Sequence, residues 1–308
     1  MPNNNSQNIV TSIDLGSNSF RVLKFDCKLK KSMGEFETTV GTADGLSITG
    51  GITPEALKRV ILAINKSIEI IDYDPKKAVA VTTQALRIAN NSNEILKSIK
   101  KETGVEFTII DGEEEGMLTL LAMQNALKRE NFKDDDFVLV DIGGGSTELI
   151  IFQNGKSYIK SFPFGIVTLT QSKNQKKDLA TFKILIEEFI NDFDLKNSIF
   201  ISTAGTPTII AALKHGLNST TYDKNIINGT TLSLQEVFDI QNKLNNLSTD
   251  ELINEVGMGR EDFINTGILI YELFYETLKK DISVVFDDGL REGVALNACS
   301  IKYHNKTK

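Results

Sequence analysis

Early in the chain the spacing of apolar residues changes period twice. Val10–Ile13 is a short run, apolar at both ends, that breaks at Asp14-Leu15-Gly16-Ser17-Asn18-Ser19, and apolar residues resume over Phe20–Phe25. That is the pattern of two strands around a tight polar turn. Over Pro54–Tyr73 the spacing switches to three and four residues, with Leu57, Val60, Ile61, Ile64, Ile68 and Ile71 on one stripe. An amphipathic helix is expected there. Ala78–Thr82 reads as a buried strand leading into a helix from Gln84, Phe107–Ile110 as a strand, and Glu113–Leu127 as a helix. Phe137–Val140 and Leu149–Phe152 predict two more strands, flanking Asp141-Ile142-Gly143-Gly144-Gly145-Ser146-Thr147. Helices follow at Leu179–Phe193, Leu234–Leu247 and Asp262–Lys279, with buried strands at Ser198–Ser202 and Ile282–Phe286.

The pattern repeats. Moving the first hairpin by 127 positions lays Asp14 on Asp141, Gly16 on Gly143, Ser19 on Ser146 and Phe25 on Phe152. A second echo closes each half: Asp111–Gly116 and Asp288–Gly293 share the form D-G-x-x-E-G after an apolar strand and before a helix. Two echoes in matching order predict an α/β protein of two related domains. The expected domains are 1–128 and 129–308, near the charged turn Lys133–Asp136, with the last helix free to pack back on the first domain.

Composition narrows the function. The 308 residues carry 34 Lys+Arg against 41 Asp+Glu, a formal charge of −7, with 41% hydrophobic and 24% charged residues. These are values of a globular chain and exclude extended disorder. An acidic chain is a poor general binder of duplex nucleic acid, whose affinity comes from phosphate-neutralising cations. A local pocket for a polyanion remains compatible with that charge. No apolar run approaches a bilayer span, and the polar start MPNNNSQN lacks a signal peptide's apolar stretch. A cytoplasmic protein without membrane or nucleic-acid partners is expected. Cys27 and Cys299 are far apart in sequence and are expected to be two separate reduced thiols.

The candidate chemistry lies in the turns. A hairpin apex of Gly and Ser exposes backbone N–H groups, and such concavities take anions, phosphate above all. Asp14 and Asp141 at the strand ends are candidate magnesium ligands. Glu113, Glu114 and Glu115 open a helix, so not all three can face one way, and Glu148 is a second carboxylate of interest. A carboxylate near phosphate suits proton transfer from water. Arg87, read as lying at a helix start against the dipole, suggests a use with an anion, and Arg291 is in a similar place. Ala204-Gly205-Thr206-Pro207 opens a helix, so that Gly205 and Thr206 are candidate phosphate or ribose contacts. No Walker A, dinucleotide fingerprint or nucleophile elbow is present.

The D-L-G-S-N-S hairpin, Gln84-Ala85-Leu86-Arg87, Gly112–Gly116, DIGGGSTEL at Asp141–Leu149, Ala204-Gly205-Thr206 and Leu290-Arg291-Glu292-Gly293 stand in order. Together they resemble the exopolyphosphatase/guanosine pentaphosphate phosphohydrolase family over nearly the whole chain. The resemblance implies the duplicated, ribonuclease H-like fold of the actin/sugar-kinase/heat-shock-ATPase superfamily, with an interdomain cleft. It implies removal of the terminal phosphate of polyphosphate or guanosine pentaphosphate with magnesium. Glu115 would be the general base and Glu148 would position the water. Asp141 would hold magnesium, joined by Asp14. Ser17, Asn18, Ser19, Gly143, Gly144, Gly145 and Ser146 would cradle phosphate, and Arg87 would neutralise its charge. The family usually has Ser at the position of Asp111 and Ala at that of Gly116. Lacking the helical C-terminal extension of longer members, the chain is expected to be the short form, with a shorter polymer track. A small-molecule kinase of the superfamily and a non-catalytic alarmone-binding protein stay open as alternatives, as does a homodimer.

Overall fold

Two compact units make up the chain, one from the residues up to Ala122 together with those from Leu290, the other Met123–Gly289. The computed structural model describes residues 8–133 and 136–304. In the first unit β1 (Ile9–Leu15), β2 (Ser19–Asp26) and β3 (Lys31–Thr39) form an antiparallel meander. Then β4 (Val79–Thr82) and β5 (Phe107–Ile109) add in parallel beyond β1, giving the order β3-β2-β1-β4-β5. The helices of this stretch are α1 (Leu46–Thr49), α2 (Pro54–Ile71), α3 (Gln84–Ile88), α4 (Ser92–Thr103) and α5 (Gly112–Arg129).

The second unit repeats that topology. There β6 (Phe137–Ile142), β7 (Thr147–Gln153) and β8 (Lys156–Phe162) are the meander, and β9 (Ile199–Thr203) and β11 (Ile282–Val285) the parallel pair. An extra strand, β10 (Thr230–Ser233), pairs antiparallel with β11 at the edge. Its helices are α6 (Ile166–Thr170), α7 (Gln175–Ile190), α8 (Gly205–Lys214), α9 (Lys224–Ile227), α10 (Leu234–Asn245), α11 (Thr249–Val256) and α12 (Ile264–Leu278). The last helix, α13 (Leu290–His304), belongs to the first unit. The duplicated α/β fold expected from the repeat is the one observed.

Local chemistry explains the elements. Thr53 accepts the Ala56 N–H and Pro54 occupies the first helical position, so α2 starts where a cap and a preset φ coincide. Its buried face is Ala56, Val60, Ala63, Ile64, Ser67 and Ile71, while Leu57, Ile61 and Ile68 lie at its margins. Ser233 with Glu236, and Ser248 with Glu251, form capping boxes that start α10 and α11. The central strand β6 is apolar and flanked by β7 and β9, so it is buried almost throughout. The edge strands β3 (KSMGEFETT), mostly half-buried, and β8 (KSYIKSF), mostly exposed, are polar, and no apolar run announces them. The core of the second unit gathers α7, α8, α10 and α12 against its sheet, around Phe182, Phe200, Tyr271 and Phe274.

The cysteines overturn an expectation. Cys27 and Cys299 form a disulfide, with Cα atoms 5.4 Å apart. Ala295 and Cys299 of α13 pack with Val10, Leu23, Phe25 and Cys27, which brings the two thiols together inside an apolar cluster. A sequence separation of 272 residues carries no information about that proximity. The turn Lys133–Asp136, expected near a domain boundary, includes positions 134 and 135, which lie outside the described residues. The compact units divide at Ala122/Met123, within α5.

Candidate active site

Both hairpin apices are held from behind. Gly16 N–H donates to the Ser19 carbonyl at 2.9 Å and closes the first turn. The Asn18 carbonyl accepts from the amides of Val40 and Gly41 at 2.8 and 2.9 Å, and the Ser17 carbonyl accepts from Ala43 at 2.8 Å. In the second unit the Gly143 carbonyl accepts from Ile166 at 3.0 Å and the Gly144 carbonyl from Val167 at 2.7 Å. A carbonyl and the following N–H lie on opposite edges of one planar trans peptide. With those carbonyls turned back, the N–H groups of Asn18 and Ser19 project away from the 40–43 loop, and those of Gly144 and Gly145 away from α6. Each apex is thereby arranged to offer donors to an anion.

The segments that hold the apices are ones that sequence reasoning missed. Both follow the third strand of their meander, and each contains a glycine, Gly41 or Gly165. Gly165 is required by close approach, because a Cβ there would lie 2.5 Å from the Gly144 carbonyl oxygen. In the first unit Arg59 locks the loop, donating to the Val40 carbonyl at 2.7 Å and the Gly41 carbonyl at 3.0 Å while pairing with Asp44 at 2.6 Å. The Ser17 hydroxyl, the Asn18 amide oxygen and the Thr42 hydroxyl are buried at this apex without a hydrogen-bond partner among the described residues. Unpaired buried polar atoms are rare in folded proteins and tend to cluster where a ligand completes them.

Glu115 and Arg87 are brought together within the first unit. Glu115 is buried, whereas Glu113 and Glu114 are exposed on the same helical turn. Both terminal nitrogens of Arg87 lie 3.5 Å from Glu115 Oε2. The guanidinium is aimed by Gln84 Oε1 at 2.8 and 3.0 Å and by the Ile110 carbonyl at 2.7 Å. One expectation is corrected: α3 has five residues, so Arg87 sits in its last turn, where the helix dipole favours a cation. The argument from an unfavourable helix start does not hold for Arg87. Asp111 spends its carboxylate on capping α5, accepting the Glu114 N–H at 2.8 Å. Ser and Asp are both good caps, so the departure at this position preserves that role.

In the second unit Asp141 stands across from Glu148 in the β6–β7 register, and Glu148 across from Ser161 in the β7–β8 register. Glu148 is 1% exposed and accepts a hydrogen bond from Ser161 at 2.7 Å. Ser146 is buried just before them. Asp14 is buried at the end of β1, opposite Arg21. Among the described residues no cluster of three or more acids, histidines or cysteines forms a metal cage. Magnesium does not need one, since it commonly binds one or two carboxylates plus substrate oxygens. Asp141 in the second unit and Asp14 in the first are each a single carboxylate at a strand end, the kind of ligand that magnesium takes.

The turn before α8 follows Thr203, which pairs with Asp141 in the β6–β9 ladder. Thr206 is buried against α12, where its side chain fills the room left by Gly267, while Gly205 has open space beside it. Between β9 and α8, Ala204 has φ +74° and ψ −170°, a region natural only to glycine, so this turn stores backbone strain. Asp288, the second-half counterpart of Asp111, is buried in a two-pronged pair with Arg129 at 2.7 and 2.9 Å, which raises the Arg129 pKa further. Arg291 is 5% exposed and contacts Glu292 at 2.6 Å, Glu35 at 3.2 Å and Glu37 at 3.6 Å.

A model of the Ppx/GppA phosphatase family matches residues 27–300. The chain belongs to that family. The bifunctional 3-dehydroquinate synthase/phosphatase of Fusobacterium nucleatum is 25% identical over 94% of this chain, which spans only 46% of that longer protein. Exopolyphosphatase 2 of Mycobacterium tuberculosis is 24% identical, and the match covers 94% of this chain and 98% of the relative. The solved structure of an Aquifex aeolicus Ppx/GppA member superposes with a TM-score of 0.73 at 25% identity, over 96% of this chain and 99% of that one. The structure of an exopolyphosphatase-like protein reaches 0.81 at 25% identity, over 94% and 97% of the two chains. Among the described residues no helix of this Ppx/GppA protein is long and apolar enough to cross a membrane.

Proposed function

We propose that this chain is a phosphohydrolase that releases orthophosphate from the end of inorganic polyphosphate, with guanosine pentaphosphate as a second substrate of the same chemistry. The observation that carries this reading is the buried Glu115 beside the oriented Arg87, in a member of a phosphatase family. Water attacks the terminal phosphorus, its proton passes to the Glu115 carboxylate, and the bond from that phosphorus to the bridging oxygen breaks. Glu148 orients the water. Arg87 balances charge on the phosphoryl oxygens, and the apex N–H groups of each hairpin are donors for phosphate oxygens. Asp141 would hold magnesium, with Asp14 as the corresponding carboxylate of the first unit, and the ion would supply further neutralisation of oxygen charge when bound. In phosphoryl transfer positioning and electrostatics provide most of the acceleration, and the residues named are all of those two kinds.

The test is phosphate release with magnesium from long-chain polyphosphate and from guanosine pentaphosphate in parallel, with Glu115→Gln beside the natural protein. Release from either substrate, reduced at least about a hundredfold in the variant, is expected. Equal release by the variant would remove Glu115 from its role. No release from either substrate by the natural protein would reject the hydrolase.

A further inference from the structure

The row that contains Glu148 holds a hydroxyl that the reaction has not yet used. Ser161 lies on β8 directly across from Glu148, and its hydroxyl donates to Glu148 Oε1 at 2.7 Å. Its position is set by the backbone. The β7–β8 ladder runs in unbroken register from Thr147↔Phe162 to Gln153↔Lys156. The residue after Ser161, Phe162, is 1% exposed and packs on Phe182 and Phe189. Just beyond it, the Thr147 hydroxyl donates to the Phe164 carbonyl at 2.6 Å and ties the end of β8 back to β7. A serine has one side-chain torsion before its hydroxyl, so a fixed backbone leaves few ways to place that donor.

Elsewhere β8 faces solvent, with Lys156, Ser157, Tyr158 and Lys160 exposed. A Ser donor to a carboxylate 1% exposed is therefore not a general feature of this strand. A buried carboxylate without aimed donors costs free energy and can rotate among several orientations. A donor on one oxygen removes both problems.

We propose that Ser161 is a positioning residue for catalysis, holding the Glu148 carboxylate in the single orientation that aligns the attacking water. The inference rests on the reading of Glu148 as the water-orienting group. Ser161 acts through Glu148. Its loss therefore changes the chemical step more than substrate binding.

The experiment measures kcat and KM for phosphate release from long-chain polyphosphate with magnesium, using the full chain. Five variants accompany the natural protein: Ser161→Ala, Ser161→Thr, Ser161→Cys, Glu148→Gln and the double variant Ser161→Ala/Glu148→Gln. Ser161→Ala is expected to lower kcat about tenfold with KM within about twofold, the size of a lost hydrogen bond to a charged group. Ser161→Thr restores the hydroxyl and most of the rate. Ser161→Cys keeps the size with a weaker donor and stays slow, which decides the matter if the alanine variant folds poorly. Added to Glu148→Gln, Ser161→Ala lowers the remaining rate by less than about twofold, because the partner is already altered. A normal kcat in Ser161→Ala beside a slow Glu148→Gln overturns this inference and leaves Glu148 in its role. A slow Ser161→Ala that threonine fails to rescue, or whose loss adds in full to that of Glu148→Gln, assigns Ser161 to structure alone. Full activity in Glu148→Gln, or none in the natural protein, overturns the reading beneath both.

Discussion

The two sheets present the same row of positions, begin it with the same residue and fill the rest differently. Across β1, β2 and β3 the row is Asp14, Arg21 and Glu37, and across β6, β7 and β8 it is Asp141, Glu148 and Ser161. The 127-residue shift that lays Asp14 on Asp141 also lays Arg21 on Glu148. In the first row Arg21 meets Glu37 at 3.4 Å, and Arg291 reaches in from α13 to Glu35 and Glu37. That row is neutralised, and it ties the last helix to the sheet. The second row sets two carboxylates on adjacent strands with no basic residue among its three positions. Two carboxylates facing each other across neighbouring strands are a pairing that proton and phosphate chemistry uses. The first row carries ion pairs between strands and helix, and the second carries the carboxylate to which the proposed reaction gives the water.

Substitutions can break that contrast, and the largest effect belongs to the second row. Glu148→Gln should lower phosphate release by about a hundredfold or more while leaving the urea midpoint unchanged or higher. A variant that loses stability and keeps its rate would assign the second row to structure. In the first row Arg291→Met removes a buried cation from among Glu35, Glu37 and Glu292. A loss of roughly 3–5 kcal/mol in urea unfolding is expected, and a loss under about 1 kcal/mol would contradict the neutralised-row account. The disulfide fastens the same helix near its other end. Cys27→Ser should lower stability by about 2–4 kcal/mol, with a melting temperature that no longer responds to reductant. A reductant-insensitive natural protein would show that α13 does not need this bond.

The smallest test compares one position in the two turns. A Cβ at Gly143 would lie 2.8 Å from the Ser146 carbonyl oxygen, whereas at Gly16 it would lie an ordinary 3.5 Å from that of Ser19. Gly143→Ala should therefore cost about 1–3 kcal/mol and raise KM, and Gly16→Ala less than about 1 kcal/mol. Equal effects would mean that the second apex adjusts as readily as the first.

Much of this was legible along the chain, for reasons that differ by element. The central strands and long helices announced themselves because burial imposes a period on apolar residues, as at Phe137–Val140 and over α2. The duplicated turns were visible because their Gly and Ser requirements are local. The edge strands β3 and β8 were passed over, since a strand with an exposed face and one neighbour needs little apolar content. Ser161 went unnoticed with β8. Arg87 was given the wrong end of its helix, because nothing local marks that α3 stops after five residues.

By itself the sequence determined the duplication, the two glycine-serine apices, the elements that carry them and the family to which the residues conform. These depend on backbone preference and side-chain period, which act between residues near in the chain. The tertiary structure decided which of three consecutive glutamates is buried, that Arg87 faces Glu115, and that loops 40–43 and 165–168 turn the apex carbonyls away. It also decided that Cys27 and Cys299 meet, and that Ser161 donates to Glu148. Each depends on strand register or helix docking, which brings together residues 13 to 272 positions apart. Long-range packing sets such contacts, and local propensity carries no record of them.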